Sequence, residues 1–211
     1  MSEILIVDDH PIVRRGLKAI LEEESNFSVR EAINAREALN QIKKHRFDLV
    51  IVDLDLPGLS GMELLNKIKQ QHNKLPVLIL SVYPEDQIAV RVLRAGASGF
   101  LSKEAAPEQL VTAIGKVLEG RRYISENVAD LLLIHLEGSS DKGLHEKLSD
   151  REFQILCLFG EGKTVRQIAD ALCLSTPTVS TYRARILTKM EMKSTAELMR
   201  YAIQNRLSSP K

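Results

Sequence analysis

Within the first 120 residues, short apolar runs alternate five times with segments of helical periodicity. Ile4-Leu5-Ile6-Val7 stops at Asp8-Asp9, and Phe27-Ser28-Val29 opens a weaker second run. Leu49-Val50-Ile51-Val52 stops at Asp53, Pro76-Val77-Leu78-Ile79-Leu80 at Ser81, and Ser98-Gly99-Phe100-Leu101 at Ser102-Lys103. Between them lie helical stripes: Ile12, Val13, Leu17, Ile20 and Leu21 behind Pro11, then Ala38, Leu39 and Ile42 within 35–45. Met62, Leu64, Leu65 and Ile68 follow within 61–71, then a helix over 86–95 closed by Gly96. Leu110, Val111, Ile114, Val117 and Leu118 form the last stripe, behind Pro107. Such alternation with short connections predicts a parallel sheet with helices on both faces and right-handed crossovers.

The run ending at Asp53 is apolar enough to be buried on both faces, and Pro57-Gly58 turns the chain behind it. Open α/β sheets bind ligands beyond the carboxyl ends of their strands. Asp53 alone is as well explained as a helix cap or turn residue. However, Asp8, Asp9, Ser81 and Lys103 also follow apolar runs directly, so one sheet edge should gather them all.

The order breaks down over 121–147, where one helical piece, 127–136, precedes the polar stretch Glu137-Gly138-Ser139-Ser140-Asp141-Lys142-Gly143. Everything after it reads as helix. Ser149 and Glu152 make a capping box ahead of Phe153, Ile155, Leu156, Leu158 and Phe159. Thr164 caps a helix over 165–172, Ser175-Thr176-Pro177 opens a third to about 190, and Ser194 caps a fourth. The expected division is a domain at 1–120, a linker at 121–147 and a helical domain at 148–211. Formal charge follows it: −2, −1 and +4 in turn, within a whole-chain +1. A basic helical tail is a candidate for binding a polyanion.

Two cysteines, Cys157 and Cys173, sit in apolar helical patterns and read as small buried hydrophobes rather than a disulfide framework. The carboxylates at 8 and 9 interrupt the first apolar run, so no secretory leader is read, and no apolar stretch approaches the roughly 20 residues of a membrane span. A cytoplasmic protein without a membrane partner is expected.

Three carboxylates at one strand edge repel each other unless a hard cation lies among them, and oxygen donors with room for water suit Mg2+. A magnesium ion beside a carboxylate nucleophile, a hydroxyl and a lysine is equipment for phosphoryl transfer.

Asp8-Asp9, Asp53 with Pro57-Gly58, Ser81 and Lys103 together resemble the receiver domain of two-component response regulators, over residues 3 to about 120. The resemblance implies a flavodoxin-like strand order 2-1-3-4-5 and phosphorylation of Asp53. It implies magnesium held by Asp8, Asp9, Asp53 and the backbone carbonyl of Asp55, with Lys103 on the phosphoryl group. Ser81 and Phe100 would be the switch pair, the ring following the hydroxyl inward. Many members carry Tyr where Phe100 stands, and Asn or Met where Asp55 stands. Enzymatic activity would be limited to slow self-phosphorylation from small donors and self-dephosphorylation. Asp53-Leu54-Asp55 is also an Asp-x-Asp, as in haloacid-dehalogenase-like phosphatases, but there it follows the first strand, and Asp8-Asp9 would be unexplained.

In the tail, Val165, Ile168, Ala169 and Leu172 form a buried stripe, and Val179, Ile186 and Leu187 the core face of the next helix, which predicts a helix-turn-helix. Leu148-Ser149-Asp150-Arg151-Glu152, Gly162-Lys163, Ile168-Ala169, Leu174-Ser175 and Thr178-Val179 resemble the LuxR-type DNA-binding domain. The whole chain is similar to a NarL/FixJ-type response regulator, with Ser-Thr-Tyr at 180–182 closest to the EvgA/BvgA branch. Ser180, Thr181 and Ala184 would then face bases, and Thr178, Arg185 and Lys189 the DNA backbone. Leu198, Tyr201 and Ala202 on the last helix would form a dimer contact. The implied partners are a sensor histidine kinase or phosphotransfer domain, double-stranded promoter DNA and a second copy of the chain.

Overall fold

The computed structural model describes residues 1–24, 26–83, 85–125, 128–130, 143–205 and 207. Contacts divide the chain into two units, Met1–Leu132 and Leu133–Lys211. In the first, strands β1 (Ser2–Val7), β2 (Phe27–Ala32), β3 (Leu49–Asp53), β4 (Val77–Ser81) and β5 (Gly99–Ser102) alternate with helices. The helices are α1 (Pro11–Glu22), α2 (Ala35–Lys44), α3 (Gly61–Gln71), α4 (Glu85–Arg94) and α5 (Ala106–Leu118). All strand pairs are parallel, in the order β2-β1-β3-β4-β5.

Side chains alternate across the pleat, which gives the sheet two apolar faces. Ile4, Ile6, Leu49, Ile51, Leu78 and Leu80 pack with Leu17 and Leu21 of α1 and Leu110, Ala113, Ile114 and Val117 of α5. The central strands β3 and β4 are buried at every position. β2 runs longer than its three-residue apolar signal because it is an edge strand: Arg30 and Glu31 need no apolar partner there, and Glu31 pairs with Arg14 and Lys18 of α1.

The chain does not leave this unit at residue 121. Tyr123 adds one further bridge to the outer edge of β5, opposite Gly99. Its N–H donates to Ser98 O at 3.0 Å, and its carbonyl accepts from the Phe100 N–H at 3.1 Å. Val128 is fully buried. The predicted helix over 127–136 is described only at 128–130, which are helical; 127 and 131–136, like the polar stretch up to 142, lie outside the described residues.

The second unit has a 3-10 turn, Leu144–Lys147, then α6 (Asp150–Gly160), α7 (Val165–Ala171), α8 (Thr176–Lys189) and α9 (Thr195–Gln204). α6 is the central element, with Phe153, Ile155, Leu156, Cys157, Leu158 and Phe159 all buried against α8 and α9. Cys173 departs from expectation: it is exposed, with φ 51°, because it follows the last turn of α7 in the left-handed conformation that reverses the chain toward α8.

The capping box at Ser149 forms as predicted and gains a partner from afar. Ser149 N–H and hydroxyl both donate to Glu152 Oε2, and Lys189 Nζ reaches the same oxygen at 2.6 Å. Burial pushes the Glu152 carboxyl up, but Lys189 and Ser149 outweigh it and hold it below the usual carboxylate value. A depressed acid stabilises the fold above its unfolded pKa, and that contribution is lost as pH falls through the lower folded value. Glu152→Gln should therefore cost about 1–2 kcal/mol at pH 7. Thermal melts of both chains should converge as the pH drops below the ordinary value of 4.5.

Candidate functional site

Strand register decides which side chains meet at the carboxyl edge of the sheet. Val7 pairs with Val52, so Asp8 emerges beside Asp53; Asp53 pairs with Leu80, one residue before Ser81; and Ser81 pairs with Ser102, one before Lys103. Lys103 Nζ donates to Asp53 Oδ2 at 2.7 Å and to Asp8 Oδ2 at 2.8 Å. Atoms of Asp8, Asp9, His10 and Asp53 lie within 4.8 Å of one another. The edge thus brings together four of the predicted groups, namely Asp8, Asp9, Asp53 and Lys103.

Burial dominates the electrostatics. Asp53 is 1% exposed, and that desolvation pushes its carboxyl up from 3.8 to about 7, against the pull of Lys103; Asp8 and Asp55 push the same way as burial. On Lys103, burial acts to lower the pKa, but Asp53 and Asp8 outweigh it and hold the ammonium above its ordinary value. One fixed cation thus faces two buried carboxylates. Asp9 Oδ1 is buried and accepts no well-directed hydrogen bond, although His10 Nδ1 lies 2.9 Å away. An unsatisfied carboxylate oxygen beside two others is a donor set that fits a hard, oxygen-binding cation.

The loop after β3 is held by backbone contacts. Leu54 N–H donates to Leu80 O, Gly61 N–H to Leu54 O, and Ser60 caps α3 in a box with Glu63. Gly61 is required at that position, since a Cβ there would lie 2.0 Å from the Asp53 carbonyl oxygen. Ser81 is wholly buried, and its hydroxyl accepts from the Tyr83 N–H at 3.0 Å. Phe100 is also fully buried, so its ring already lies in the inward position.

Sequence reasoning missed two residues at this edge. His10 donates its N–H to Asp8 Oδ1 at 2.7 Å. Tyr83 Oη donates to Asp55 Oδ1 at 3.2 Å, giving the Asp55 side chain a partner. Their adjacency to Asp9 and Ser81 was the available signal; neither stands in an apolar pattern.

In the second unit, α7 and α8 are joined by the turn at Cys173-Leu174. Ser175 caps α8, and Val179 and Ile186 are buried as predicted, together with Met190. Thr181, Ala184 and Arg185 are exposed, and Thr178 and Ser180 partly so. Lys189 is not a free cation, since it ties α8 to α6 through Glu152. Arg151, buried at the start of α6, donates to Gln154 at 2.6 Å and to the Leu172 carbonyl at 3.3 Å, which fixes the carboxyl end of α7. Of the expected dimer-contact residues, Leu198 and Ala202 are 0% exposed in the single chain, on the helix that packs against α6. Tyr201 is half-buried, its hydroxyl 2.9 Å from His145 Nδ1, and Ile203 is a large apolar residue of this helix left exposed.

Comparison with known proteins assigns both units. Residues 4–115 match the response regulator receiver domain, and residues 146–202 the luxR family of bacterial regulatory proteins. The response regulator UvrY of Escherichia coli K12 is 35% identical over 209 residues, 98% of this chain and 96% of that protein. The transcriptional activator protein ExaE of Pseudomonas putida is 39% identical, over 95% of each chain. Among solved structures, RcsB from Salmonella enterica serovar Typhimurium, bound to promoter rprA with the phosphomimetic BeF3−, is 29% identical. It covers 95% of this chain and 97% of its own, with a TM-score of 0.66. This chain therefore belongs to the NarL/FixJ family of two-component response regulators, a receiver domain followed by a LuxR-type helix-turn-helix.

Proposed function

We propose that this chain is a cytoplasmic transcription regulator whose binding to promoter DNA is set by phosphorylation of Asp53. The observation that carries the proposal is the buried Asp53 carboxylate, 2.7 Å from Lys103, in one chain with an exposed polar recognition helix. A sensor histidine kinase or phosphotransfer domain presents a phosphorylated imidazole. An Asp53 oxygen attacks phosphorus, the P–N bond breaks, and its electron pair stays on the imidazole, which takes up a proton. Lys103 holds negative charge on the phosphoryl oxygens, and Ser81, on turning from Tyr83, donates to one of them. Mg2+ held by Asp8, Asp9, Asp53 and the Asp55 backbone carbonyl would supply the second positive charge. Tyr83 borders the site through its hydroxyl bond to Asp55.

On DNA, Ser180, Thr181 and Ala184 face base edges, while Thr178 and Arg185 approach phosphates; Lys189 joins them by exchanging Glu152 for a phosphate. The Thr181 hydroxyl already donates to Pro177 O within the helix, which leaves its lone pairs for an amino group of adenine or cytosine. Phosphorylation favours a homodimer, which α9 joins through Tyr201 and Ile203 rather than through Leu198 and Ala202.

Incubation with Mg2+ and acetyl phosphate should add one phosphate by intact mass, and an unchanged mass would contradict the proposal. DNA affinity should fall roughly tenfold or more between 50 and 200 mM salt, measured by fluorescence anisotropy. A flat response would remove the recognition helix from its role.

A further inference from the structure

The outer edge of β5 is occupied by the segment that follows α5, which leads toward the second unit. Tyr123 pairs there through two main-chain hydrogen bonds, to Ser98 O and from the Phe100 N–H. The phenol is fixed as well: Tyr123 Oη donates to Gln109 Oε1 at 2.6 Å, and Lys116 Nζ lies 5.4 Å from the ring centroid. Gly99 makes the approach possible, because a Cβ there would lie 2.8 Å from Tyr123 O and 2.9 Å from Tyr123 Cβ.

On its other side β5 meets the site. Ser102 pairs with Ser81, and Lys103 N–H donates to Ser81 O at 2.9 Å. Any movement of Ser81 or Lys103 toward a group on Asp53 is therefore imposed on the β5 main chain. The Phe100 ring has no hydroxyl and is already wholly buried. Besides its packing on α4 and α5, β5 has a main-chain edge, whose partner among the described residues is Tyr123. A single bridge of two hydrogen bonds is the weakest pairing in this sheet.

We infer that the Tyr123–β5 bridge is a latch that joins the linker to the receiver, and that it opens when Asp53 carries a phosphoryl group. Lys103 exchanges its carboxylate contact for phosphoryl oxygens, β5 shifts with it, and the bridge at Phe100 is the first pairing to part. The segment from Tyr123 to the buried Val128 then loses its hold on the sheet edge, which changes the freedom of the DNA-binding unit behind it. This inference rests on Asp53 as the phosphoacceptor.

The test follows amide hydrogen exchange of Phe100 and Tyr123 and DNA affinity together, in the full chain, with and without Mg2+ and BeF3−. The expected result is exchange at both amides faster by at least about tenfold with BeF3−, alongside tighter DNA binding. Tyr123→Pro, which removes the N–H donor, should bind DNA equally with and without BeF3−. Tyr123→Phe, which keeps the main-chain pairing, should respond like the wild type. If DNA affinity responds while both amides stay unchanged, or if Tyr123→Pro responds fully, the latch is overturned and the phosphoacceptor assignment stands. If wild-type DNA affinity does not respond at all, the phosphorylation reading falls, and the latch with it.

Discussion

Asp53→Asn is expected to abolish phosphoryl uptake completely while making the receiver more heat-stable. The amide cannot attack phosphorus, so the variant has no nucleophile at the position the strand end gives to Asp53. The gain in stability follows from the pKa. Asp53 stands at about 7 in the fold against an ordinary 3.8, so the charged form is disfavoured by burial and by Asp8 and Asp55. A raised acid stabilises the fold fully below its unfolded pKa and loses that contribution as pH rises through the folded value. Asn does not ionise and escapes the loss, while Lys103 keeps its bond to Asp8. Above pH 7, in divalent-free buffer, the substitution should gain on the order of 2 kcal/mol. Paired thermal melts at pH 6 and pH 8.5 read the effect, and a variant less stable than wild type at pH 8.5 would contradict this electrostatic account.

The second large effect is expected from one methyl group. Gly61 lies where the first turn of α3 crosses the end of β3, and a Cβ there would meet Asp53 O at 2.0 Å, Leu54 Cα at 2.7 Å and Asp53 C at 2.8 Å. These are backbone atoms, so no side-chain rotation relieves the overlap. Relief requires α3 to slide or β3 to bend, which breaks the Gly61 N–H bond to Leu54 O and moves Asp53 away from Lys103. Gly61→Ala should cost at least about 3 kcal/mol, beyond the usual range for overpacking. Gly16→Ala is the control: nothing lies within 4 Å of that Cβ, and alanine in mid-helix should gain up to about 1 kcal/mol. Urea denaturation of the two variants measures both, and equal stabilities would contradict the packing argument.

The sheet and most of its edge were legible for one reason. In a parallel sheet buried on both faces, a strand reads as unbroken aliphatic sequence, so the first polar residue after it marks the ligand edge. Asp8, Asp53 and Ser81 each occupy that place, and Lys103 comes one residue after it, behind Ser102. Tyr83 and His10 do not; they reach the edge by loop geometry, which leaves no periodic trace. The Tyr123 bridge was illegible because one main-chain pairing needs no side-chain pattern. On α9, periodicity located an apolar stripe but could not say whether α6 or a second chain covers it. α6 covers Leu198 and Ala202. Lys189 read as a phosphate-seeking cation because Glu152, 37 residues earlier, is its neighbour only in three dimensions.

The account stands on coupling between Asp53 and the recognition helix. The direct measurement is the affinity of the full chain for a duplex selected from a random pool, with and without Mg2+ and BeF3−, for wild type and Asp53→Asn. Wild-type affinity should rise by about tenfold or more, a coupling within the usual allosteric range, and Asp53→Asn should not respond. Equal wild-type affinities in the two conditions, or an equal response from Asp53→Asn, would contradict it.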